Sequence, residues 1–188
     1  MIHAITASYK NVLLRQPEVR DLELLRLWRN NSDNSKYISK VEYITEEMQS
    51  DWFEKYLKDD DHCMFVFVET EELRRVVGSV SLYNFRPGIC ECGKFMVGDE
   101  AARGKGIGRL GITMAMYTGF EVFKLDAIDA VVHEDSITAL TTDQKAGFLI
   151  VGEHPNPLDP GKTEKELHST REYFYGKHEF LSKVAVGV

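Results

Sequence analysis

Cysteine, proline and tryptophan are scarce in this chain, with three, five and two in 188 residues. Cys63, Cys90 and Cys92 are odd in number and too few for a disulfide framework. They read as reduced thiols of a cytoplasmic protein. Cys90 and Cys92 lie on one face of a predicted strand. No second ligand pair accompanies them, so they read as small strand residues and no metal site is expected. The low proline content and ordinary composition exclude collagen-like and low-complexity chains. No apolar run approaches the ~20 residues that span a bilayer, so no membrane partner is expected. The opening segment (MIHAITASYK) has no basic stretch followed by an apolar one, so no signal peptide is expected. Positive charge is in deficit as well: 23 basic against 30 acidic residues give a net charge of −7. Nucleic acid is therefore not expected as a partner. A local cluster of Lys and Arg is still enough for a small polyanion.

What is present fits one domain, 1–188, by the usual ~150 residues per domain. Asn11 to Gln16 reads as a strand. Glu18 to Asn30 places Val19, Leu22, Leu25 and Trp28 at helical spacing. Thr45 is a candidate N-cap for a second helix with Met48, Trp52 and Tyr56 as its apolar stripe. His62 to Glu69 and Val76 to Asn84 form a predicted hairpin, and Ile89 to Val97 another strand. After a polar loop, Gly98 to Arg103, the stretch Ile107 to Lys124 is apolar nearly all round, as in a buried helix. Asp126 to His133 reads as a covered strand. Ser136 to Ala146 reads as a short helix with Ser136 at its N-cap and Gly147 closing it. Phe148 to Glu153 and Glu172 to Tyr175 are further predicted strands. The pattern implies an α/β (α+β) domain with a mixed sheet of about six to seven strands and helices on its faces.

Arg103-Gly104-Lys105-Gly106-Ile107-Gly108 carries the strongest chemical signal. Glycines let backbone N–H groups approach a ligand, and the following helix start favours anions. Arg103, Lys105 and Arg109 add charge, so a pyrophosphate cradle is expected. A P-loop is rejected on spacing: five residues separate Gly98 from Gly104, and no Ser or Thr follows the lysine. Gly106-Ile107-Gly108-Arg109-Leu110-Gly111 is a literal dinucleotide fingerprint, with Glu134 near the place of a ribose-binding acid. A polar loop precedes it, however, and only one convincing βαβ unit is visible. A nicotinamide oxidoreductase is thus the remote alternative.

Arg103, Gly106 and Gly108 also match the pattern R/Q-x-x-G-x-G/A. Glu91-Cys92-Gly93 with Phe95-Met96-Val97 resembles the bulged central strand of the GCN5-related N-acetyltransferases (GNAT). Gly147-Phe148 resembles that family's closing pair. Leu14-Arg15, Asp21 and Trp28-Arg29-Asn30 are similar to the subgroup of ribosomal-protein N-terminal and small-amine acetyltransferases.

The resemblance implies a single acetyl-CoA-binding domain that passes an acetyl group directly to a primary amine, such as an amino sugar or polyamine. A protein N-terminus is the alternative acceptor, and a homodimer is a candidate assembly. It implies that Arg103, Gly104, Lys105, Gly106, Ile107 and Gly108 hold the pyrophosphate. The edge of Phe95, Met96 and Val97 would pair with the pantetheine and polarise the thioester carbonyl, and Ser136 would hydrogen-bond the pantetheine. Glu91 and His133 are the candidate bases for an amine that is mostly protonated at neutral pH. The acids Asp33, Glu42, Glu46 and Glu47 and the aromatics Tyr37, Tyr43, Trp52 and Tyr83 fall on the acceptor side and suit a cationic amine. The pattern departs from the family where Asp143 stands for a tyrosine, Ser136 for an asparagine and Ala139 for a serine. An ionised aspartate cannot protonate a leaving thiolate. This departure motivates a second alternative, a catalytically impaired acyl-CoA-binding module.

Overall fold

The structure is a computed structural model and describes residues 4–37 and 42–187. Among these residues nine strands form one sheet: β1 (Thr6–Tyr9), β2 (Val12–Arg15), β3 (His62–Glu69), β4 (Arg75–Arg86), β5 (Ile89–Val97), β6 (Ala127–His133), β7 (Leu149–Pro155), β8 (Thr163–Thr170) and β9 (Ala185–Gly187). Their order is β7-β8-β6-β5-β4-β3-β2-β1-β9. Every pairing is antiparallel except β5 with β6. The α/β class and mixed sheet agree with expectation, and the strand count exceeds it. β8 (TEKELHST) escaped the sequence reading because only Leu167 and Ser169 along it are buried. Alternation is carried by too few apolar residues to register.

Among the described residues six helices accompany the sheet: α1 (Leu22–Asn30), α2 (Ser32–Ser35), α3 (Glu46–Tyr56), α4 (Ile107–Glu121), α5 (Ile137–Ala146) and α6 (Arg171–Lys177). α4 covers one face, where Ile112, Met114, Met116 and Phe120 join Phe65, Phe67, Leu82 and Ile128 in the main core. α1 lies on the opposite face, with Leu25 and Trp28 packed on Val66, Val76 and Met96.

Several residues of the resemblance turn out to be structural. Asp21 receives two hydrogen bonds from Arg15, at 2.6 and 2.9 Å, and one from the Glu18 N–H at 2.7 Å. That ion pair fastens the entry of α1 to β2. The Asn30 amide donates to the Ile44 carbonyl at 2.9 Å and accepts its N–H at 2.8 Å. Trp28 lies so close to Gly98 that any Cβ there would collide with its ring.

Four expectations need correction. The first helix begins as a one-turn 3-10 segment, Val19–Asp21, and Val19 is 74 % exposed rather than part of the apolar stripe. On α3 the buried face is Gln49, Phe53 and Tyr56, while Met48 is 46 % exposed. The four-and-three spacing of 49, 53 and 56 faces the sheet better than 48, 52 and 56. α4 ends at Glu121, short of Lys124. Glu172 to Tyr175 is not a strand but lies within α6. Thr170 caps that helix by accepting the Tyr173 N–H at 3.2 Å, and Phe174 is buried against Phe120. The aromatic run favoured a strand on propensity, and burial on one helical face overrode it.

Candidate active site

Parallel pairing of β5 with β6 is brief. It joins Ile89 to Ala127, Cys90 to Ile128 and Glu91 to Asp129, and goes no further. Beyond Glu91 the strands part, so the β6-facing edge of Cys92 to Val97 has no strand opposite it among the described residues. On its other side β5 bulges: pairing with β4 steps from Gly93 to Met96, and Lys94 takes a φ of 50°. The expected bulged strand is therefore present. An open cleft of about 1540 Å³ fills the parting. Pockets for small molecules usually run to ~300–1,000 Å³. This cleft has room for a long thioester and an acceptor together.

The glycine loop closes one end of the cleft. A 3-10 turn, Glu100–Ala102, precedes it, with the Asp99 side chain accepting the Ala101 N–H at 2.9 Å. Gly104 and Gly106 have φ of 74° and 78°, a region that L side chains avoid, and a Cβ on either would meet open space. Gly108 is required for another reason: a Cβ there would strike Phe95 and Val97 at 2.8 and 2.9 Å. The first bond of α4 is Leu110 N–H to the Gly106 carbonyl at 3.1 Å. Backbone N–H groups from Gly104 to Arg109 donate to no acceptor among the described residues, as at the start of any helix, where they suit an anion. A pyrophosphate fits this cradle.

The cations around the loop divide. Arg109 lines the cleft. Arg103 also borders it but folds back, donating to the Val97 carbonyl at 3.2 Å and the Asn34 side chain at 2.5 Å. Lys105 is turned away onto Glu72 at 2.8 Å and lies outside the cleft wall. Ile107 is a core residue whose contribution to the loop is its backbone. Phe95, Met96 and Val97 line the cleft along β5.

Across the cleft stands the N-terminus of α5. Ser136 occupies the N-cap position, but its hydroxyl caps nothing and remains available to the cleft it lines. His133, three residues earlier, is buried. Its Nδ1 accepts the Asp135 N–H at 3.1 Å, and its Nε2 lies 3.3 Å from Asp159 Oδ2. The Nδ1 contact places the ring proton on Nε2, where it is directed at the carboxylate. Tyr37 packs on the His133 ring with centroids 5.1 Å apart. Glu91 lies on the other face of β5 from Cys92. It accepts the Asn84 amide at 3.0 Å and sits outside the cleft wall, beside Tyr83, which lines it. Desolvation and the Glu91 charge together hold the Tyr83 phenol above its usual range. Lys94 stands 4.4 Å over the Tyr83 ring, and desolvation draws its pKa down.

Asp143 breaks with expectation. It is not a solvated side chain. It is buried among the cleft residues, and burial pushes its carboxyl up to about 7. Position in the sequence carried no sign of this, because desolvation is set by what α4, β5 and α5 leave between them. Asp159, Asp135 and Tyr37 around His133 likewise carried no motif.

Solved structures similar in shape share this fold. The chain is similar to a spermidine N-acetyltransferase from Vibrio cholerae, solved with CoA and spermine. The TM-score is 0.79 at 19% identity, over 87% of this chain and 98% of that one. It is also similar to a GNAT-family acetyltransferase from Bacillus anthracis, with a TM-score of 0.76 at 21% identity, over 89% and 99%. Among curated proteins, the Campylobacter jejuni acetyltransferase PseH is 25% identical over 134 residues, which is 71% of this chain and 80% of that protein. Fold and cleft thus define an acyl-transfer domain. The profile described as "Acetyltransferase (GNAT) domain" matches residues 11–149, and the chain belongs to that family. It is an acyltransferase that uses acetyl-CoA as cosubstrate and acetylates an amine. No helix among the described residues is long and apolar enough to cross a membrane.

Proposed function

We propose that the acceptor is a small primary amine rather than a protein N-terminus. The observation that carries this reading is the way residues 33–37 approach the cleft from both sides. Asn34 is bound by Arg103 beside the glycine loop, and Tyr37 rests on His133 at the β6 wall. An approach narrowed in this way suits a compact acceptor. Asp33, Asp135, Asp159 and Glu164 line the same cleft and favour a cation. The names of the relatives agree: one of them is a spermidine N-acetyltransferase.

In this reading the N–H groups of Gly104 to Gly108 and the Arg109 side chain hold the pyrophosphate. The free edge of Phe95 to Val97 binds the pantetheine and supplies an N–H to the carbonyl oxygen. Glu91, on the Tyr83 side of β5, takes the amine's proton, directly or through water. His133 has both ring nitrogens engaged and serves to position the Asp135–Asp159 rim rather than as the base. Three buried, unpaired cysteines suit a reducing, cytoplasmic compartment.

Competition between acceptors tests this. The purified chain, given acetyl-CoA with polyamines, amino sugars and short peptides, is expected to acetylate a small amine with the highest kcat/KM. A peptide N-terminus exceeding every small amine by tenfold or more would overturn it.

A further inference from the structure

Glu91 and Asp143 stand on opposite sides of β5. Cys92, which follows Glu91, points toward α4 and lies within the field of the Asp143 carboxyl. It is also the first residue past the last β5–β6 pair, so Asp143 sits where the two strands begin to part. Asp143 is held there by the last turn of α5, its carbonyl accepting the N–H groups of Gly147 at 3.1 Å and Phe148 at 3.0 Å. The side chain is 7 % exposed and forms part of the cleft wall. Its carboxyl makes no hydrogen bond or ion pair among the described residues. A desolvated carboxyl whose outlet is the cleft it lines is costly when charged, and such groups gather at functional sites.

We propose that the Asp143 carboxylic acid protonates the departing sulfur of CoA and is the general acid of the acetyl transfer. This rests on the reading that the thioester enters between β5 and β6. As the new carbon–nitrogen bond forms, the carbon–sulfur bond breaks and its electron pair passes to sulfur. Sulfur takes the proton from the Asp143 carboxyl and leaves as the neutral thiol. The ammonium nitrogen gives up two protons, one before it attacks and one as the amide forms, both passing through Glu91 to solvent on the other face. Asp143 recovers a proton from solvent through the cleft, and one turnover releases one proton in all. Two carboxyls in contrasting surroundings, one desolvated and one bonded beside a polar cleft, are a physical basis for separate acid and base roles.

The titratable groups around Asp143 come from every neighbouring element. Cys92 on β5 is itself a neutral thiol, because burial raises its pKa well above the usual value. Lys94 on the β5 bulge, Arg109 on α4, His133 on β6 and Lys145 on α5 share the cleft, and none is ion-paired to Asp143. Behind α5, His178 Nε2 donates to the Ala146 carbonyl at 2.8 Å.

Asp143→Asn keeps the shape and removes the acid, and Asp143→Glu keeps the acid. With Asp143→Asn, kcat is expected to fall by about 10²-fold or more, with the KM for acetyl-CoA within about threefold. The wild-type decline in kcat as pH rises through and above about 7 is expected to disappear in this variant. Asp143→Glu is expected to recover part of kcat and to restore that decline. Independently of turnover, infrared difference spectra of the free protein should contain a protonated-carboxyl band that fades as pH rises through about 7 and is missing from Asp143→Asn. Turnover by Asp143→Asn within twofold of wild type, an unchanged pH profile, or the absence of such a band would each overturn the assignment. Calorimetric titration separates this from the cleft reading. If Gly106→Val left acetyl-CoA affinity unchanged, the cleft reading itself would fail, and this assignment with it.

Discussion

At position 106 the backbone conformation and the open space above it argue for one residue type. A φ of 78° strains any L side chain, and valine would also project into the cradle. Gly106→Val should therefore weaken acetyl-CoA binding by tenfold or more in a calorimetric titration. The fold should survive, because no neighbour lies within 4 Å of the added Cβ. Glu91 makes a different prediction. Its carboxylate is outside the cradle, bonded to Asn84 and beside the Tyr83 phenol. Glu91→Gln should lower kcat by about 10²-fold and leave acetyl-CoA affinity nearly intact. Equal turnover across a pH series would remove it as the base. The glycine signals at 104, 106 and 108 were legible because φ and close approach are properties of the residue type. The environment of Asp143 was not legible, because three separate elements produce it.

Among the elements, the start of α1 depends on a single buried pair. Desolvation works to raise the Asp21 pKa, but the Arg15 guanidinium and the Glu18 N–H outweigh it and hold the carboxyl below its usual range. Asp21→Asn would remove the closest charged partner of Arg15 at a largely buried position, leaving it the Gln16 carbonyl and the longer contact to Glu18 at 3.5 Å. The cost of breaking such a pair is about 3 kcal/mol or more, readable as a lowered Tm. Loss of α1 anchorage would also loosen Trp28 on Gly98, so acetyl-CoA affinity should fall along with Tm. Element type was readable where apolar spacing was dense, as in α4 and β3. It was misread at α6, where Thr170 offers a cap but the aromatic run Tyr173–Tyr175 imitates a strand. It was missed at β8, whose charged residues are supported by β6 and β7 on either side.

For the whole molecule, opposing carboxyls and a histidine shape stability against pH. Desolvation raises the Glu69 pKa, but N–H groups of Leu73, Glu71 and Arg74 and the Asn11 amide prevail, bringing it down to about 2. A depressed carboxylate contributes stability that is present above its ordinary value near 4.5 and lost as pH falls toward 2. Asp21 acts in the same sense. Asp143 is opposite in sign: its pKa is raised to about 7, so its burial costs increasingly as pH rises from about 4 to 7. His62, buried and lowered to about 4, contributes a loss as pH falls from about 6.5 to 4. Wild-type Tm should therefore drop steeply below about pH 4.5. Asp143→Asn should gain stability relative to wild type as pH rises from 4 to 7, and the gain should level off above 7. Thermal unfolding of both proteins across that range checks the sign. A difference independent of pH would mean that Asp143 titrates normally.

Glycine placement, apolar periodicity and the strand-loop-helix order are local properties, and through them the sequence by itself determined the class of fold, the glycine loop's conformation and the family. The parting of β5 from β6, the strand count, the turning away of Lys105 and the desolvation of Asp143 were decided by tertiary structure alone. Each depends on which distant segments come to rest side by side. A side chain's charge state follows from the water that those segments exclude, and no spacing along one chain encodes it.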